Sequence, residues 1–135
     1  MTEVTRRHFM RDTAVATAAI STFNILSSSA QEAAGHEILK VALVGCGGRG
    51  NGALGQFRDA AKLLGKDIEV VALCDAFEDR VQGSLKRYGV DASRGHWGFN
   101  AYKKAAESDA EFVLMATPPN FRPLRLEAMI EAGKH

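Results

Sequence analysis

The run Gly45-Cys46-Gly47-Gly48-Arg49-Gly50 satisfies the pattern G-x-G-x-x-G, which carries chemistry only when it joins a strand to a helix. In that setting the first glycine makes the tight turn, the second lets the backbone approach a diphosphate with no side chain between, and the last lets helix pack closely on strand. Gly45, Gly47 and Gly50 are placed for those three tasks. Gly48 and Arg49 complete the run ahead of the predicted helix, whose N-terminal free N–H groups and partial positive charge favour phosphate. An acid is expected at the end of the next strand, where its carboxylate accepts hydrogen bonds from the adenosine ribose. Asp75 stands 25 residues beyond Gly50, slightly past the usual interval but in the right topological place. A 2′-phosphate brought there meets like charge, which favours NAD; Arg49 or Arg80 can offset the repulsion, so NADP stays open. Arg80 itself lies beside the adenine or pairs in solvent with Glu78 or Asp79.

A second constellation is Thr117-Pro118-Pro119-Asn120, which follows an apolar run. Open α/β sheets bind ligands at the carboxyl ends of their strands, so Thr117, Pro118 and Asn120 are candidates to line the nicotinamide end of a dinucleotide site, the other reading being a plain strand-to-helix turn. The corresponding structural reading of the glycine run is a turn with Asp75 capping a helix. The presence in order of strand, glycines, helix, second strand and acid favours the cofactor.

The elements needed to position these groups are legible as alternating strands and helices. Residues 38–44 are almost continuously apolar, as in a strand covered on both faces of a parallel sheet. Ala53, Leu54, Phe57, Ala61 and Leu64 then recur at helical spacing, with Gly65 as the stop. Residues 70–74 give a second strand. Val81, Leu85 and Tyr88 mark a helix over residues 78–88 that Gly89 caps. Residues 90–100 read as a loop with at most a short third strand at 97–99. A short helix is predicted over 102–107 and a buried strand over 112–116, which the two prolines end. Asn120 then caps a last helix reaching Ala132, with Pro123 in its first turn, Leu126, Met129 and Ile130 on one face, and Gly133 after it. This alternation predicts an α/β fold: a doubly wound, mostly parallel, Rossmann-like sheet over residues 36–135.

At 135 residues and a formal net charge of +1, the chain has room for one modest domain and carries no basic excess that would fit nucleic acid. Cys46 and Cys74 lie inside apolar runs without a second Cys or His at ligand spacing, so neither a metal site nor a disulfide framework is expected. The four histidines are scattered singly. No residue is assigned a catalytic role.

The first thirty residues differ in kind. Thr5-Arg6-Arg7-His8-Phe9-Met10-Arg11 precedes a moderately apolar stretch from Thr13 to Leu26 and small residues ending at Ala30. This resembles a twin-arginine export signal, with Met10 and Arg11 in place of the usual Leu and Lys. The stretch is short, rich in Thr, Ser and Ala, and interrupted by Asn24, so no stable membrane span is expected. The resemblance implies the twin-arginine translocation machinery as a partner, cleavage near Ala30 and a periplasmic or other extracytoplasmic location. That route carries folded proteins, which suits one that takes up its cofactor before leaving the cytoplasm.

Taken in order, the glycine run, Cys74-Asp75, Ala116-Thr117-Pro118-Pro119 and Glu131-Ala132-Gly133-Lys134-His135 resemble the landmarks of the Gfo/Idh/MocA oxidoreductase family. The resemblance covers the chain from about Ile38 onward. It implies the nucleotide-binding part of an NAD(P)-dependent dehydrogenase that exchanges hydride between nicotinamide C4 and a carbinol carbon of a sugar, cyclitol or related polyol. It also implies a Glu-Lys-Pro segment and a mostly antiparallel substrate domain beyond His135, through which relatives form homo-oligomers. The chain is therefore expected to be a fragment or truncated product, inactive alone. Arg122 stands where many relatives carry His. Two other readings remain: an NAD-dependent glycosidase of the same fold, and a non-catalytic NAD(P)-binding module.

Overall fold

The structure, a computed structural model, describes residues 37–135. The segment read as an export signal, residues 1–30, lies outside the described residues. Four strands, β1 (Ile38–Val44), β2 (Asp67–Asp75), β3 (Gly95–Trp97) and β4 (Phe112–Met115), form a single sheet in the order β3-β2-β1-β4, with all pairs parallel. Helices α1 (Gly48–Leu63), α2 (Glu78–Tyr88), α3 (Tyr102–Glu107) and α4 (Arg122–Glu131) alternate with the strands. The result is the doubly wound arrangement expected from the alternation, because each parallel neighbour requires a crossover and the crossovers cover both faces.

Side chains alternate across the sheet and divide the core in two. Val41 and Leu43 of β1 join Leu54 of α1 and Val81 and Leu85 of α2 on one face. Ala42 and Val44 join Ala105 of α3 and Met129 of α4 on the other. The period of two is broken once: Val41 pairs with Val70 but Ala42 with Ala72, so β2 carries one extra residue. As a result Val71 and Ala72 both pack toward the α3–α4 face.

Several expectations are corrected in detail. β2 begins at Asp67 rather than at residue 70, and β3 occupies Gly95–Trp97 rather than 97–99. Gly95 looked like loop composition, but a Cβ there would lie 2.8 Å from Leu85 and 2.9 Å from Val81. Glycine is thus what lets β3 pack on α2, and Gly98, at φ +105°, turns the chain away afterwards. Leu64 falls beyond the end of α1 and is exposed. In α4 only Met129 of the expected face is buried. Leu126 and Ile130 are exposed, and with Val113 and Met115 they border a shallow groove of about 300 Å³ beside the free side of β4. His135 pairs on that side: its N–H donates to the Glu111 carbonyl at 2.9 Å and the Val113 N–H donates to the His135 carbonyl at 2.7 Å. Asn120 does not cap α4. It is exposed in the 3₁₀ turn Pro119–Phe121, and Phe121 occupies the cap position without a side-chain hydrogen bond. The two prolines tighten the chain into that turn before α4 starts.

Candidate nucleotide-binding site

At the carboxyl ends of β1, β2 and β4 lies a cleft of about 620 Å³. The glycine run forms its centre. Gly45 takes φ +106°, and a Cβ on it would lie 2.7 Å from the Ala116 carbonyl oxygen, so only glycine lets the loops after β1 and β4 pass this closely. At Gly50 a Cβ would fall 1.8 Å from the Gly45 oxygen, so α1 packs back on the turn only because that position is bare. Gly47 and Gly48 differ. A Cβ at Gly47 would have only the Arg80 guanidinium near it, at 3.7 Å, and one at Gly48 would meet nothing within 4 Å. Their bareness serves no protein contact, and both face the cleft.

The amides behind that open surface are available. The Asn51 N–H closes the first helical bond, to the Gly47 carbonyl at 2.9 Å, which leaves the N–H groups of Gly48, Arg49 and Gly50 without partners among the described residues. Three free amides at the start of a sixteen-residue helix are an anion-binding arrangement.

Asp75 ends β2 at 8% exposure and borders the same cleft. Its Oδ2 accepts the Cys46 N–H at 2.7 Å and its Oδ1 accepts the Phe77 N–H at 3.0 Å. A carboxylate has about four acceptor sites, so each oxygen retains capacity for a ribose hydroxyl while the two amides fix its orientation. The Cys46 contact also ties the glycine loop to β2. Among the candidates drawn from the sequence, the structure brings together Gly45, Gly47, Gly48, Arg49, Gly50, Asp75, Thr117 and Pro118 around the cleft. Asn120 is not among the residues that line it. Thr117 is 7% exposed, and its Oγ1 is buried without a hydrogen-bond partner. An orphaned hydroxyl on a cleft wall fits a polar ligand group that satisfies it.

A group of positioning residues escaped the sequence reading. The Asn51 side-chain amide donates to the carbonyls of Cys46 at 2.7 Å and Gly47 at 3.2 Å. The Ser84 hydroxyl donates to Asn51 Oδ1 at 2.9 Å, and the Tyr88 hydroxyl donates to the Asn51 carbonyl at 2.6 Å. α2 thereby holds the glycine loop from behind. The one signal was a serine, Ser84, on the inner side of an otherwise apolar helical stripe. Phe77, with the Arg80 guanidinium carbon 4.9 Å from its ring centroid, forms the rim beyond Asp75.

Neither thiol is prepared for chemistry. Burial pushes Cys46 up to about 11 and Cys74 up to about 12, so both are protonated at neutral pH. Among the described residues no group of three His, Cys, Asp or Glu side chains is placed to hold a metal, and no helix is long and apolar enough to cross a membrane.

Solved structures share this architecture. The α/β, Rossmann-like fold matches a part of dehydrogenase chains. The WlbA dehydrogenase of Chromobacterium violaceum, solved with NADH and UDP-GlcNAcA, is 29% identical, with a TM-score of 0.57 over 72% of this chain and 26% of its own. GenD2 of gentamicin A biosynthesis, solved with NAD, is 24% identical, with a TM-score of 0.58 over 73% of this chain and 26% of its own. The scyllo-inositol dehydrogenase of Lactobacillus casei, solved with NAD(H) and scyllo-inositol, is 19% identical, with a TM-score of 0.53 over 73% of this chain and 27% of its own. The chain thus spans about a quarter of the length of these structures. No family profile and no curated protein matches it.

Proposed function

We propose that residues 36–135 form the NAD(P)-binding part of a Gfo/Idh/MocA-type oxidoreductase that acts on a sugar, cyclitol or related polyol. The observation that carries this reading is the combination of bare, outward-facing Gly47 and Gly48, three unpartnered amides at the start of α1, and an oriented acid at the end of β2. Bound nicotinamide supplies the hydride acceptor or donor at C4. This chain's own residues bind and orient. The amides of Gly48, Arg49 and Gly50 take the diphosphate, Asp75 the adenosine ribose, and Thr117 and Pro118 flank the nicotinamide half, where Thr117 Oγ1 gains a partner. NAD is the favoured cofactor because Asp75 opposes a 2′-phosphate, with NADP admissible through Arg49 and Arg80, both of which border the cleft. The solved structures with NAD or NADH bound support the choice.

Residues 1–30 act as a twin-arginine signal in this reading, so the protein is exported through that machinery and works in the periplasm. Fluorescence titration with NADH and NADPH tests the nucleotide assignment. NADH is expected to bind more tightly than NADPH, and Asp75→Ala to weaken NADH by about 1–2 kcal/mol, the worth of hydrogen bonds to a charged group. Absence of binding of both nucleotides contradicts it.

A further inference from the structure

The wall of the cleft that follows β4 carries a charge that the nucleotide reading does not use. Arg125 of α4 is only 8% exposed and borders the cleft. Among the described residues its guanidinium has no hydrogen bond and no ion pair; instead it lies 5.0 Å from the ring centroid of Phe121 and 5.6 Å from that of Tyr102. Ring faces hold a guanidinium plane in place and leave its N–H edges free. The unpartnered nitrogens of Arg125 are not among the buried polar atoms, so those edges open on the cleft, where an oxyanion can pair with them.

The charge around the cleft points the same way. Arg49, Arg80, Arg122 and Arg125 line it against one acid, Asp75, whose two oxygens already accept backbone amides. A dinucleotide brings its negative charge to the glycine loop and leaves the Arg125 wall unmatched.

We propose that Arg125 forms a receptor for an oxyanion, carboxylate or phosphate, carried by the substrate, so that the sugar or polyol handled at this site is an acidic one. The planar fork of a guanidinium matches either group with two parallel hydrogen bonds. The inference rests on the nucleotide reading above, because a substrate group on this wall sits beside the cofactor.

Nuclear magnetic resonance of the 15N-labelled chain tests it, since arginine Nε–H resonances report even millimolar binding. The NADH-loaded protein is titrated with glucuronate, glucose 6-phosphate and glucose, and NADH is compared with NADPH. At least one acidic sugar is expected to shift the Arg125 resonance and to bind tenfold or more tightly than glucose, the two acids distinguishing carboxylate from phosphate. Arg125→Gln should remove that preference with a change of under threefold in NADH affinity, and Arg125→Lys should retain part of it; melting curves confirm that both variants fold. Equal or absent binding of all three sugars, or a preference that survives Arg125→Gln, overturns the proposal. So does tenfold tighter binding of NADPH than NADH that depends on Arg125, which gives the guanidinium to the cofactor instead. If NADH does not bind but the acids still shift Arg125, the nucleotide reading fails while the anion receptor stands.

Discussion

In the proposed nucleotide site Asp75 couples two tasks through one carboxylate, because the oxygens offered to the ribose also hold the Cys46 and Phe77 amides. Removal of the side chain therefore loosens the loop as well as the ribose contact, whereas Asp75→Asn retains one acceptor for the Cys46 amide. Asp75→Asn is accordingly expected to bind NADH more tightly than Asp75→Ala and less tightly than wild type, by isothermal calorimetry. The thiols give a second expectation at this scale. Their folded pKa values, about 11 for Cys46 and about 12 for Cys74, lie above the ordinary value of 9.0 because burial disfavours the thiolate. A raised acid contributes stability that is fully present below its unfolded pKa and lost as pH rises toward the folded one. The urea midpoint should fall as pH is taken from 9 to 11, and less steeply in the Cys46→Ala, Cys74→Ala double variant. Iodoacetamide should label both thiols slowly at pH 8 until urea unfolds the chain.

At the scale of elements, Gly50 decides how α1 meets β1. A methyl group there overlaps the Gly45 carbonyl, so Gly50→Ala is expected to cost about 3 kcal/mol or more in urea unfolding, as overpacking at a rigid backbone contact does. Leu54→Ala, in the same helix but in the core, should cost about 2–5 kcal/mol by opening a cavity. These elements were plain in the sequence because buried parallel strands are short apolar runs, and β1 and α3 appear with the bounds their residues suggest. What the sequence concealed was set by neighbours far along the chain. β3 was misplaced because Gly95 is a packing residue against α2, not a loop residue. The face of α4 was misjudged because the helix lies beside the outermost strand, where Leu126 and Ile130 stay exposed at the edge of a groove and Arg125 turns inward onto two rings. The glycine loop and its acid were legible from a motif with a fixed mechanical meaning, whereas the brace of Asn51, Ser84 and Tyr88 behind them has no sequence pattern of its own. Asn120 satisfied a capping rule, but the prolines before it set the turn instead.

In the molecule as a whole, the order β3-β2-β1-β4 places the crevice where β1 and β4 send their helices to opposite faces, the point at which open sheets bind ligands. Arg49 and Arg80 border that crevice and are exposed, so in the proposed nucleotide site NADH binding should weaken through screening as sodium chloride is raised from 50 to 500 mM. The export reading has its own check: residues 1–35 fused to a folded reporter should reach the periplasm, and replacement of Arg6 and Arg7 by lysine should retain it in the cytoplasm. The central claim, that bare backbone at the start of α1 receives a diphosphate, is tested most directly at Gly47. A side chain there meets only one flexible arginine and fills cleft, not core. Gly47→Val should therefore melt with the wild type and lose NADH binding by a hundredfold or more in the same titration; a variant that binds NADH as the wild type does would contradict the account.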